Sequence, residues 1–202
     1  MVSPEHIAAR LRGTTIASDP GRQALEGLPA DLIETWFPGP MREAAVLLPL
    51  MLREHEPTVL FTVRTDELPD HAGQISFPGG RRDPGDTSLE YTALREAEEE
   101  IGLSPSAVAV AGYLDPHPVI TSYAVVPVVG LVQPPERLIA EAGEVAEIFE
   151  VPLSHLMDPA NRSMQNRVRN GIELTTYEYH YEEYRIWGAT ANMLQTFLKV
   201  IE

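Results

Sequence analysis

Glu96, Glu99 and Glu100 stand at i, i+3 and i+4, so a helix through them puts three carboxylates on one face of its C-terminal half. Acids at that end oppose the helix dipole, and like charges at that spacing repel. A cation would offset both effects. Hard divalent ions such as Mg²⁺ or Mn²⁺ take oxygen ligands and are commonly shared between a few carboxylates and the phosphates of a substrate. The alternative is a solvated Glu-rich face. Against it stand a glycine-rich turn at Gly79 and Gly80 and a crowd of arginines in the same stretch: Arg64, Arg81, Arg82 and Arg95.

The elements that must position these residues run from residue 73 to 103: a short strand, the glycine turn, a tight loop and a helix. Thr87 followed by Glu90 reads as a capping box, and Gly102 as the C-terminal stop. Leu89, Ala93, Leu94, Ala97 and Ile101 supply the apolar stripe that fixes the helix phase.

Arg95, Glu96, Ala97, Glu98, Glu99, Glu100, Ile101, Gly102 and Leu103 match the R-E-U-x-E-E-x-G-U half of the Nudix hydrolase box, and Gly79 and Gly80 match its glycine start. The spacing from Gly80 to Arg95 is one residue longer than in the general box, and Asp86 or Thr87 stands where a glutamate is expected. The longer loop resembles the subfamily that hydrolyses coenzyme A. Leu60, Phe61, Thr62, Arg64, Thr65, Gly73, Phe77, Pro78, Gly79 and Gly80 match that subfamily's upstream signature, with Pro69 where an arginine is expected, and residues 185–190, RIWGAT, resemble its C-terminal segment.

The resemblance covers the chain from about residue 43 onward. It implies an α/β Nudix fold, an α/β/α sandwich with a mixed central sheet, over residues 43–202, with residues 1–42 a helix and arm packed on it. By similarity Glu96 and Glu100 are metal ligands, Glu99 is ligand or base, and a Gly80 carbonyl joins the metal. Arg95 orients the glutamates by bidentate pairing, and Glu144 is an outside candidate for metal shell or base. Arg64, Gly79, Gly80 and Arg81 are expected on the substrate side. The activity implied is Mg²⁺- or Mn²⁺-dependent cleavage of coenzyme A to 4'-phosphopantetheine and adenosine 3',5'-bisphosphate. Another nucleoside diphosphate derivative, such as ADP-ribose, and a non-catalytic binding module are the alternatives. Related enzymes make a homodimer plausible.

Composition bounds the rest. The 202 residues, 44% hydrophobic and 22% charged, suit one globular domain. Acidic residues outnumber basic ones 30 to 15, giving a formal charge of -15, so nucleic acid and anionic membranes are poor partners. A polyphosphate substrate is repelled too, unless bound metal and local arginines reverse the potential. There are no cysteines, which excludes disulfides and thiolate chemistry. No apolar run is long enough to cross a bilayer and the N-terminus does not read as a signal peptide, so the cytoplasm is the expected compartment.

Along the chain, Ser3, Pro4 and Glu5 open a short helix. Residues 13–42 read as a loose arm with one helical turn around Leu32, and Trp36 and Phe37 as core or dimer contacts. Residues 43–51 and 57–64 are neighbouring strands, and His71 a surface-loop histidine. After the helix come a strand at 107–114, a proline-punctuated loop at 115–122 containing His117, and a strand at 123–132 in which Pro127 suggests an edge or bulge. Val145, Ile148, Phe149 and Val151 form a strand with Glu144 and Glu147 at its mouth. A short helix at 152–158, a hairpin turn at Asn170 and Gly171, a strand alternating Tyr177, Tyr179 and Tyr181 with charged residues, and an amphipathic helix at 191–200 complete the reading.

Overall fold

A computed structural model describes residues 2–66, 73–135, 137–169 and 172–202. In chain order its elements are helices α1 (Pro4–Leu11), α2 (Pro20–Ala24) and α3 (Ala30–Trp36), strands β1 (Arg42–Met51), β2 (Thr58–Arg64), β3 (Ile75–Ser76) and β4 (Gly79–Arg81), and helix α4 (Leu89–Ile101). Strands β5 (Val108–Tyr113), β6 (His117–Val119), β7 (Tyr123–Val132) and β8 (Val145–Pro152) follow, then helix α5 (Leu153–Met157), strands β9 (Arg162–Arg169), β10 (Ile172–Tyr181) and β11 (Tyr184–Trp187), and helix α6 (Gly188–Ile201).

Strand β1 is buried along most of its length, as its unbroken apolar run requires of a strand covered on both faces. It pairs in parallel with β7 over all ten residues, and β7 carries β6 and β5 on its other side. On its opposite edge β1 meets β2 only at Leu50 with Val59 and Met51 with Thr58. Beyond that contact the two strands separate, so β4 pairs with Ala44, Ala45 and Val46 of β1 while β3 pairs with Thr62 and Val63 of β2. Phe77 and Pro78 bridge the split. Phe77 stacks on Phe61, which stacks on Phe149, so an aromatic ladder anchors the turn that leads into Gly79. Strand β8 closes the sheet against β2.

Leu89, Ala93, Ala97 and Ile101 of α4 pack on one face of this mixed sheet, against Ala45, Leu47, Leu60, Val126 and Val128. The other face is covered by α1, α6 and the antiparallel sheet β9, β10, β11, which share a core containing Ile7, Phe61, Tyr179, Ile186, Leu194 and Phe197. The result is the α/β sandwich expected. Burial on both faces selects parallel pairing at the centre.

Several local expectations change. The arm holds two helices, α2 and α3, where one turn was expected; Asp19 caps α2 by accepting the Arg22 N–H. Leu32 and Phe37 are buried, and Trp36 is half-buried. His117 lies in a short strand and not in a loop. Pro127 lies inside the sheet and not at an edge, between the ends of β6 and β5, where no partner strand needs its missing N–H. Tyr179 is fully buried with its hydroxyl on Gln195, so the tyrosine face of β10 is core; on the opposite, charged face Glu178 is buried and paired with Arg185 and His180. Pro69, His71, Asn170 and Gly171 lie outside the described residues. Among the described residues no helix is long and apolar enough to cross a membrane.

Candidate active site

Helix α4 starts one residue later than the capping-box reading. Ser88, not Thr87, is the N-cap, accepting the Tyr91 N–H at 3.0 Å, and Glu90 turns instead to the Tyr113 hydroxyl. Two residues before that cap, Asp86 is folded inward. There, with its side chain 3% exposed, the carboxylate accepts the Asp83 N–H at 3.0 Å, the Thr92 hydroxyl at 2.9 Å, and Arg95 Nε and Nη2 at 3.1 and 3.0 Å. Hydrogen bonding to Arg95 holds the Asp86 carboxyl far below the usual carboxylate range despite its burial. Arg95 is therefore bidentate to Asp86 and not to a glutamate, while single contacts of 2.9 Å reach Glu96 and Glu99. Asp86, at one of the two positions where a glutamate is expected, thus holds Arg95.

At the other end Gly102 takes the left-handed conformation, φ 67°, that terminates the helix. Past it, the Ile139 N–H donates to the Ile101 carbonyl and the Glu141 N–H to that of Glu100, so residues 139–141 cap the last turn.

Gly79 and Gly80 fit this site for different reasons. Gly79 has φ +152°, and a Cβ there would lie 2.4 Å from the Ala45 carbonyl oxygen. At Gly80 a Cβ would lie 2.6–2.7 Å from the carboxylate of Glu96, so the absence of a side chain lets the β4 backbone rest directly on that glutamate. The Gly79 N–H donates to Glu100 Oε2 at 3.1 Å. Glu100 is 5% exposed, and burial pushes its pKa up to about 8, assisted by the charges of Glu96 and Glu144 and opposed by the Gly79 N–H and Arg64. Burial also raises Glu96, against the pull of Arg95.

The three glutamates of the helix face do not behave alike. Glu96 and Glu100 are drawn under β4, whereas the side chain of Glu99 is 60% exposed and turned toward Arg95. Among the described residues no three acidic or histidine side chains converge as a finished metal site. Glu96 and Glu100 nonetheless fit a hard divalent ion, being oxygen donors whose burial and mutual repulsion are relieved by a positive charge. Glu144 lies in the exposed turn before β8 and its charge acts on both Glu96 and Glu100. Glu147, its neighbour at the strand mouth, accepts the Tyr184 hydroxyl at 2.5 Å.

Arg64 ends β2, and its charge acts on Glu100. Its Nε is buried without a hydrogen-bond partner among the described residues. Arg81 is far more exposed, 75% at the side chain, and sits 3.5 Å from Asp83. Arg82 pairs with Glu43 at 2.7 Å. Arg81 and Arg82 border an open groove of about 500 Å³, where the Arg42 guanidinium sits over the Tyr123 ring, 4.0 Å from its centre. That pair is 81 residues apart and carries no local sequence signal. His117 is outside this cluster, and burial lowers its pKa to about 4.

A helix bearing buried glutamates under a glycine strand, on a split mixed sheet, defines a hydrolase of the Nudix type, and the comparisons agree. The family model of the NUDIX domain matches residues 41–170, and the chain belongs to this family. It is 42% identical over 161 residues to an uncharacterized Nudix hydrolase NudL of Photorhabdus laumondii, covering 80% of this chain and 86% of that one. A NudL of Yersinia pestis is 43% identical over 160 residues, 79% of this chain and 80% of the relative. Among solved structures, a MutT/nudix family protein from Enterococcus faecalis shares the fold at TM-score 0.50 and 15% identity, over 93% of this chain and 76% of its own. A Deinococcus radiodurans protein does so at TM-score 0.50 and 12% identity, over 76% and 81%. The chain is thus a member of the Nudix hydrolases, a family that generally uses divalent metal ions.

Proposed function

We propose that this enzyme hydrolyses the diphosphate bridge of coenzyme A, releasing 4'-phosphopantetheine and adenosine 3',5'-bisphosphate. The observation that carries the reading is the placement of Arg64. It belongs to the upstream signature, ends β2 where its charge acts on Glu100, and has a buried Nε with no hydrogen-bond partner among the described residues. A cation of that kind suits a substrate bearing a phosphate beyond the two that are cleaved.

In this reading Glu96, Glu100 and a Gly80 carbonyl hold Mg²⁺ or Mn²⁺, which when bound neutralises phosphate oxygens and lowers the pKa of water. Arg64 binds the diphosphate or the additional phosphate, and Arg81 guards the groove side. Gly79 and Gly80 let the substrate approach the backbone. Arg95, locked by Asp86, keeps Glu96 and Glu99 in place, and either Glu99 or Glu144 takes the proton from the attacking water. Intact glutamates argue against a non-catalytic module, because an idle site would keep their repulsion without use. With no cysteine and no need of an oxidising compartment, we place the enzyme in the cytoplasm.

One residue favours a different substrate. Pro69 replaces the arginine of the upstream signature, which fits ADP-ribose or a similar compound better than coenzyme A. A panel of coenzyme A, ADP-ribose and other nucleoside diphosphate derivatives, with Mg²⁺ and Mn²⁺, decides between them. We expect coenzyme A to be cleaved fastest, and equal rates on ADP-ribose would remove the assignment.

A further inference from the structure

The glycine strand is reached through a very short piece of chain, and two hydroxyls from distant parts of the sequence hold that piece. Strand β3 consists of Ile75 and Ser76, and Ser76 lies three residues before Gly79. Its ladder with β2 amounts to two pairs, Thr62 with Ser76 and Val63 with Ile75. The Arg64 N–H donates to the Gln74 carbonyl at 3.0 Å, so Val63 and Ile75 fall between ladder bonds and the Ile75 carbonyl faces away from β2. On the β2 side the hydroxyl of buried Thr62 adds contacts of 3.2 Å to the Ser76 carbonyl and 3.1 Å to the Ser76 hydroxyl. On the opposite side the hydroxyl of buried Thr190 donates to the Ile75 carbonyl at 3.0 Å, across 115 residues of sequence. A threonine in a helix ordinarily turns its hydroxyl to its own backbone. This one, in the first turn of α6, leaves the helix.

The place from which Thr190 reaches is itself fixed. Strand β11 runs into α6 without an intervening residue, and Tyr184 at its start stacks on Phe149, the rings 3.7 Å apart and within 5° of parallel. Phe77, the residue after β3, is the far end of the same row of rings. Past it, the Pro78 carbonyl accepts the Leu47 N–H at 2.9 Å and the Gly79 N–H reaches Glu100. A displacement of β3 is therefore passed to the glycines through just two residues. Segment 185–190, which ends at Thr190, has no part in the reaction proposed above. We propose that Thr190 is a positioning residue: its hydroxyl, opposite that of Thr62, clamps β3 so that the Gly79 N–H meets Glu100 and Gly80 rests on Glu96. This rests on the contact between the glycine strand and the two glutamates, not on the identity of the substrate.

Thr190→Val keeps the shape of the side chain and removes the donor. Amide hydrogen exchange followed residue by residue by NMR, in chelator and without substrate, should show the Gly79 N–H exchanging roughly tenfold faster in this variant, while the amides of the β1–β7 pair keep their protection. With Mg²⁺ and coenzyme A, kcat should fall by about tenfold at a KM within about twofold of the wild type. Thr190→Ser should restore both the exchange rate and kcat. A merely structural threonine would lower the melting temperature and leave the Gly79 rate and kcat as they are. That result would overturn the proposal, as would faster exchange spread evenly over the sheet, or a Gly79 amide already unprotected in the wild type. If Thr190→Val does not fold, Thr190→Cys, a weaker donor in the same place, should show the same changes at smaller size, and an unmoved Gly79 rate there would be equally fatal. Coenzyme A left intact by the wild type would remove the substrate assignment, while the exchange measurement still decides the role of Thr190.

Discussion

Glu100→Gln should stabilise the metal-stripped protein at alkaline pH while abolishing its response to Mg²⁺. In the wild type the Glu100 pKa rises from 4.5 to about 8, chiefly through burial. The folded value lies above the unfolded one, so the native state holds the proton more tightly. The contribution is fully favourable below about pH 4.5 and is lost as pH rises through 8. A rise of about 3.5 units corresponds to roughly 5 kcal/mol at 1.36 kcal/mol per unit, an upper bound for a group coupled to Glu96 and Glu144. Glutamine keeps an acceptor for the Gly79 N–H and never ionises. In chelator at pH 9 the variant should therefore be more stable by about 2–4 kcal/mol, or roughly 5–10 °C in melting temperature for a domain of this size. At pH 5 the two should melt within a degree or two of each other. Adding Mg²⁺ should reverse the order at pH 9, because only the wild type gains binding energy from the ion. Turnover should fall by orders of magnitude in the folded variant. Differential scanning calorimetry across pH 5–9, with chelator and with Mg²⁺, reads all of this. A wild-type stability that is flat from pH 6 to 9 in chelator, or an equal Mg²⁺ shift in both proteins, would refute the reasoning.

The two glycines separate folding from function. Gly79→Ala sets a Cβ against backbone at 2.4 Å and should cost more than about 3 kcal/mol, seen as loss of soluble protein or an early denaturant midpoint. In Gly80→Ala the atoms nearest the new Cβ are those of the Glu96 carboxylate, the end of a flexible side chain, so it should fold with a nearly unchanged midpoint yet lose about 10²-fold in kcat. Asp86→Asn breaks the buried pair that locks Arg95 and should cost about 3 kcal/mol in urea unfolding, with a loss of activity that Asp86→Glu does not fully restore. For His117 the folded pKa, about 4, lies below the ordinary 6.5, so stability that is present at neutral pH is lost as pH falls from 6.5 through 4. Replacing it with Leu should flatten that acid limb by up to about 3 kcal/mol, and an unchanged limb would assign the loss to other groups.

Local signals hold where the chain's own geometry decides. Ser3 and Gly102 end their helices as expected, because caps satisfy backbone groups within a few residues. Strands β1, β2, β5, β7 and β8 follow their apolar runs. They fail where a distant partner prevails. Ser88 and not Thr87 caps the helix, and the neighbouring Asp86 pairs with Arg95, nine positions on. Pro127 looked like an edge because a lone strand cannot reveal that its neighbours β6 and β5 leave a gap there. His117 read as loop because a three-residue strand exists only by pairing with β7.

The sequence by itself determined the helix phase, and with it that Glu96, Glu99 and Glu100 share a face next to two glycines, since a period of 3.6 residues leaves no freedom in that matter. Tertiary structure decided which of the three is buried. Glu96 and Glu100 are covered because β4 settles on them, while Glu99 is held outward by an arginine whose other partner lies across the loop. It also brought Arg64, Thr65 and Glu144 to the same place from two separate strand ends. Burial and through-space charge depend on where the rest of the chain goes, and no local spacing encodes that.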